Sequence, residues 1–316
     1  MPDSADLIQA LDARAERRSE RRDFFKTALG AAVIGAGGFA YANAASAQTV
    51  TDADVLNFAL NLEYLEAQFY SFAFFGTGLA NSDLTGAGAQ GAVQGGRAVP
   101  FADPVVRQYA REIAQDEIAH VKFLRTALGA AAVAQPAIDI RGGAGGPFAA
   151  AAVAAGVENG ANFDPYADDN SFLLGAYIFE DVGVTAYKGA SPLITNNTFL
   201  DAAAGILAVE AFHAGIVRGA LYARGVAAPA LRTAADQISN ARDSLDGTTD
   251  LDQGISPTNT SFGQAANIVP TDANGITFSR TTGQVLNIVY LTRAAATAGG
   301  FFPAGVNGAI RSSAAN

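Results

Sequence analysis

The chain contains two histidines, and each stands three residues after a glutamate: Glu117-Ile118-Ala119-His120 and Glu210-Ala211-Phe212-His213. Positions i and i+3 share one face of a helix, so each carboxylate and imidazole can converge on one ion. Two such pairs on facing helices can hold two ions a few ångströms apart. Two further acids sit inside apolar stripes, Glu63 in L-N-L-E-Y-L-E and Glu180 in Y-I-F-E-D, which completes a set of four glutamates and two histidines. Only seven glutamates follow residue 47, so chance placement of one before both histidines has odds on the order of one in a thousand against average composition. Acids buried among Phe58, Leu62, Phe179 and Phe212 cost several kcal/mol each, roughly, unless a cation accompanies them. A metal supplies that cation; surface or core ion pairs are the bland alternative.

These residues need helices to carry them, and the sequence provides four. From Asp52 to Phe75, apolar residues recur at three- and four-residue steps behind a cap at Thr51 or Asp52. Asp103-Pro104 opens a second helix that runs to about Leu128, with Gly129 as its stop. A cap among Asp168, Asp169, Asn170 and Ser171 starts a third, expected to end near Gly189 to Pro192, and Thr198 to Arg224 reads as a fourth, closed by Gly225. The stretches 76–102 and 129–170 read as long connections, the second with at most one short helix. Only the third and fourth helices are joined by a short turn, so they should be antiparallel neighbours. Beyond Gly225 the pattern predicts a helix around Leu231 to Leu245 and an amphipathic segment from Thr281 to Ala298 that packs on the bundle.

Lys+Arg 20 against Asp+Glu 30 gives a net charge of −10, which argues against nucleic acid and favours cations as partners. With no cysteine, there is no disulfide and no thiolate site, so a metal must use oxygen and imidazole nitrogen. The single methionine is Met1, and tryptophan is absent. At the N-terminus, E-R-R-D-F-F-K over 20–26, a weakly apolar Gly-rich run and Ala45-Ser46-Ala47 read as a twin-arginine export leader spanning 1–47. That route carries folded proteins, and it makes the export machinery a partner and a periplasmic or otherwise exported location the expectation. The leader holds six basic and six acidic residues, so its removal leaves the net charge unchanged.

Helix one, N-L-E-Y-L-E-A-Q-F-Y, with D-E-I-A-H in helix two and V-E-A-F-H in helix four, resembles the ferritin-like superfamily of diiron and dimanganese carboxylate proteins. More narrowly, the layout is similar to exported ferritin-like proteins related to plant desiccation-related proteins, and the resemblance extends to the tail G-G-F-F-P-A-G-V-N-G at 299–308. It implies an all-α four-helix bundle at 48–225 with an extension at 226–316. It implies two Fe or Mn ions on Glu63, Glu117, His120, Glu180, Glu210 and His213, with Glu117 and Glu210 bridging and Glu66 in reserve. Tyr70 and Tyr187 each follow a proposed ligand by seven residues, where a phenol could orient a carboxylate or donate an electron. The function implied is redox chemistry on O2, peroxide or Fe(II) in oxidative or desiccation stress. A non-catalytic, metal-stabilised protective or assembly protein is the alternative, and a homo-oligomer stays open. The long loops and the extension do not match a compact storage subunit.

Overall fold

The computed structural model describes residues 50–316; the expected leader lies outside the described residues. Seven α-helices occur among the described residues: α1 Asp52–Phe75, α2 Pro104–Leu128, α3 Pro147–Ala155, α4 Asp169–Ala190, α5 Asn197–Arg224, α6 Ala230–Asp246 and α7 Thr282–Val289. Two short pairs of strands accompany them, β1 Val93–Gly95 parallel to β2 Ile138–Ile140 and β3 Thr258–Thr260 antiparallel to β4 Gly263–Ala265.

The four long helices begin where side chains satisfy their free amides. Thr51 and Asp54 form a reciprocal capping box at α1, and Gly76 ends it at φ 73°, a left-handed conformation that glycine adopts without steric cost. Asp103 accepts from the Val105 and Val106 amides ahead of Pro104, Asp168 from Ser171, and Asn196 from Thr198 and Phe199. Asp52 does not cap its own helix. Its carboxylate accepts from the Thr195 and Asn196 amides, both at 2.8 Å, tying the start of α1 to the turn between α4 and α5.

Helix α1 packs along α2, and α4 along α5; the two pairs meet through α1 with α4 and α2 with α5, which makes the bundle. Helix α6 lies against α3, α4 and α5, while α7 lies against α4 and α6. Within the expected amphipathic segment from Thr281 to Ala298 the helix covers Thr282–Val289 and then stops, where Leu291 turns to φ 55° and the Asn287 side chain gathers the Thr292 and Ala314 carbonyls. Val285, Leu286, Ile288 and Val289 are all buried.

The tail then returns to the bundle. Phe301 is fully buried between Phe148 and Phe179, with ring centroids 5.0 and 4.9 Å away. Asn307 exchanges hydrogen bonds with Asn61 of α1, its amide donating to Asn61 Oδ1 at 3.0 Å and its carbonyl accepting at 2.9 Å. Its own side-chain amide donates to the carbonyls of Ala89 and Ala134, which closes the two long loops over the same helix.

A second buried polar layer joins α4, α5 and α6 to the extension. Arg218, Arg242 and Arg280 pair with Asp181, Asp246 and Asp252 at 2.6 to 3.0 Å, all six buried. Equal numbers of opposite charges and the bidentate Arg242–Asp252 pair offset part of the desolvation such a cluster costs, although Oδ1 of Asp181 and of Asp246 has no donor.

Candidate metal centre

The middle of each long helix turns one or more acids toward the bundle axis. Glu63, Glu117, Glu180, Glu210 and His213 are essentially inaccessible to solvent, and His120 retains 8 % exposure. Glu117 lies between the two imidazoles, with Oε1 3.1 Å from His213 Nδ1 and Oε2 3.7 Å from His120 Nδ1. Glu210 Oε1 is 3.6 Å from His120 Nδ1. At the flanks, Glu63 Oε2 sits 3.2 Å from His120 Nδ1 and Glu180 Oε2 3.8 Å from His213 Nδ1. The two imidazole rings are 6.4 Å apart, centroid to centroid.

The ligand atoms form two overlapping groups, Glu63, Glu117, His120 and Glu210 in one and Glu180, Glu210 and His213 in the other, with atoms in each within 4.8 Å of one another. Glu210 belongs to both, and Glu117 reaches both histidines. Both carboxylate oxygens of Glu117 and of Glu210, Glu180 Oε2 and His213 Nδ1 are buried without a hydrogen-bond partner. So many unsatisfied acceptors in one place do not fit a core ion pair; they fit a site built for cations. The donor set of carboxylates and imidazoles suits Fe or Mn.

Tyr70 donates its hydroxyl to Glu180 Oε1, and Tyr187 donates to Glu63 Oε1. Each flanking carboxylate therefore has one oxygen held by a phenol while the other faces a histidine. Glu66 is also buried here but belongs to neither ligand group. Space for the carboxylates depends on Gly183, one turn after Glu180: a Cβ there would come 2.3 Å from Glu210 Oε2 and 3.5 Å from Glu66 Oε1.

Electrostatics in the cation-free pocket shows what the burial costs. Burial, then the Glu117 charge, pushes Glu63 up to about 7 against the pull of His120. Burial raises Glu180 to about 8, and it raises Glu66 and Glu210 well above the usual carboxylate range, with repulsion from Glu117 next. Glu117 goes the other way: burial is outweighed by the pull of the two neighbouring imidazoles, which brings it to about 2. Burial alone would lower His120, yet Glu63 and Glu117 raise it to about 11. The raised acids favour their protonated forms unless a cation stands beside them.

Two features differ from the sequence expectation. Phe212 does not bury the acids; it is 73 % exposed, because its neighbour His213 takes the inward position and one residue along a helix is a rotation of about 100°. Asp116 was missed altogether. It accepts from His213 Nε2 at 3.1 Å, which fixes that ring with Nδ1 toward the acids. An aspartate on a polar helix face reads as solvated charge, and its partner is distant in sequence. The available signal was asymmetry: the residue before Glu117 is an acid, while the residue before Glu210 is Val209.

A family model described as a ferritin-like domain matches residues 51–223. A ferritin-like catalase of Nesocodon mauritianus is 29% identical over 272 residues, covering 82% of this chain and 84% of that protein. A desiccation-related protein of Craterostigma plantagineum is 32% identical over 248 residues, covering 75% of this chain and 76% of its own length.

Proposed function

Because the chain belongs to the ferritin-like domain family, we propose that it holds two Fe or Mn ions and consumes peroxide or O2 as an exported stress protein. The observation that carries this reading is the pair of overlapping ligand groups whose central carboxylates have no partner. Glu63, His120, Glu180 and His213 would hold one ion each in pairs, and Glu117 and Glu210 would be shared. The bound metals would supply electron transfer to or from the oxidant.

The chain's own residues do the rest. Tyr70 and Tyr187 keep the flanking carboxylates from rotating, and the enclosing helices keep bulk water out of the pocket. His120, the most exposed of the set, would lie on the side nearest an incoming small oxidant. The name of the Nesocodon relative supports peroxide as the substrate. The twin-arginine pattern supports export after folding, and N-terminal sequencing of exported material should begin near Gln48.

The experiment is elemental analysis of protein from its own source, paired with a peroxide assay before and after chelation. About two ions per chain and chelator-sensitive peroxide loss are expected; fewer than one ion, or loss that chelation leaves intact, sinks the reading. The similarity to a desiccation-related protein favours a second reading, in which the metals only stabilise a protective protein. Metal-dependent melting without turnover would select it.

A further inference from the structure

Helices α2 and α5 lie side by side on one outer face of the bundle and run antiparallel. Arg224 of α5 meets Asp103 at the start of α2 at 2.6 Å, and His213 meets Asp116 near its middle at 3.1 Å. Helix α5 is apolar enough to form a core, yet only 33% of its most apolar stretch is buried. Every charged residue between Asp201 and Arg224, namely Glu210, His213 and Arg218, is turned inward and buried. What remains outside is a stripe at three- and four-residue steps, Gly205, Ala208, Phe212, Gly215 and Gly219, from which Phe212 projects. A Cβ at any of those three glycines would have no neighbour within 4 Å, so nothing inside the chain requires them. Glycine weakens a helix interior unless something must approach its backbone closely. Phe123 and Val105, exposed on the edge of α2 that carries Asp116, widen the apolar face.

A chain of net charge −10 repels its own copies, so a face on which two copies meet must match its charges. This one does. Glu112 and Lys122 stand five residues either side of Glu117, and Asp201 and Arg224 twelve and eleven residues either side of His213, which Glu117 touches at 3.1 Å. A two-fold axis across the helices at that level sets Glu112 of one copy against Lys122 of another, and Asp201 against Arg224, which keeps part of its guanidinium exposed beside Asp103. A parallel pairing would set like on like. The area suffices as well. The 28 residues of α5 span about 42 Å, and with α2 about 10 Å away the pair presents a face about 20 Å wide, roughly the 800 Å² per partner of a stable dimer.

We propose that two copies of the chain meet on this face, α2 and α5 of one lying antiparallel on α2 and α5 of the other about a two-fold axis at the level of Glu117 and His213. Phe212 of each copy then falls between Ala208 and Gly215 of the other, which buries an aromatic ring that one copy alone leaves in water. The interface uses no metal ligand and stands whether or not the metal reading holds.

Sedimentation velocity on the full chain tests this. At about 10 µM the parent should run as a dimer, twice the 32.3 kDa of one chain. Phe212→Glu, at an exposed position outside the metal centre, should weaken the dimer at least about thirtyfold while the melting temperature holds. If that variant does not fold, Ala208→Glu makes the same test. Glu112→Lys alone and Lys122→Glu alone set like charges face to face and should each weaken the dimer at least about fivefold; the two together should return it to within about twofold of the parent. Those side chains stand about 15 Å apart along one helix, too far to compensate each other within a chain, so the rescue reports contact between copies. A monomeric parent at that concentration, a dimer that Phe212→Glu leaves intact, or no rescue in the double variant overturns the proposal.

Discussion

Glu117 and Glu210 are the side chains whose loss should be felt by both halves of the centre, since one touches both imidazoles and the other belongs to both ligand groups. Glu117→Ala or Glu210→Ala should strip most of both metals and destabilise the bundle by about 3–5 kcal/mol, because the remaining buried acids lose their cation. Exposed Glu112 is the control, and Glu66→Gln should retain both ions, since Glu66 stands outside both groups. Metal content by elemental analysis and melting by circular dichroism would check these outcomes. Asp116→Ala should act differently. It frees the His213 ring, so affinity at that half should fall about 10- to 100-fold while the His120 half holds, giving two separated phases in a metal titration. A single unchanged phase would rule out this positioning role. The two Glu-x-x-His pairs could be read because i,i+3 spacing puts both members on one helix face, and Glu63 and Glu180 because each interrupts an apolar stripe, whereas Asp116 acts on a helix far away in sequence.

Helices were legible where local chemistry decides them. The capping box at Thr51, the Asp103-Pro104 pair and the Asp168 cap set boundaries without reference to the rest of the fold. At α7 the pattern marked an amphipathic segment without fixing where its helix ends. The helix ends at Val289, where Asn287 finds the Thr292 and Ala314 carbonyls, a contact between segments that no periodicity encodes. The role of Phe301 was hidden for the same reason, although the tail motif itself stood out. Buried against Phe148 and Phe179 on α3 and α4, its replacement by Ala should cost about 3–5 kcal/mol. Urea denaturation would read this as a lower midpoint; a midpoint unchanged from the parent would mean that the ring contributes little. The ion layer of three arginines likewise could not be read, since its members come from α4, α5, α6 and two loops.

For the molecule as a whole, protons would compete with the proposed metals for one pocket, and this fixes the sign of its pH dependence. In the cation-free protein Glu63 and Glu180 are raised from 4.5 to about 7 and about 8. Their contribution is complete below the unfolded value and is lost as pH rises through the folded ones. His120 and His213, raised from 6.5 to about 11 and about 9, lose theirs over a higher range in the same direction. Stability of the chelated protein should therefore fall steadily from about pH 5 to about pH 9, while the metal-loaded protein holds nearly level over that range. Melting curves at stepped pH, with and without chelator, would show it; profiles that coincide throughout would refute the cation's role.

The clasp between Asn61 and Asn307 spans 246 residues of sequence. A ribosome releases those two partners far apart in time, so α1 can pack on α2 and α4 before Asn61 finds the tail. Contacts of such span make closure a late and slow event. Until residue 307 is in place, Asn61, Ala89 and Ala134 lack the residue whose side chain and backbone tie α1 to both long loops at that point.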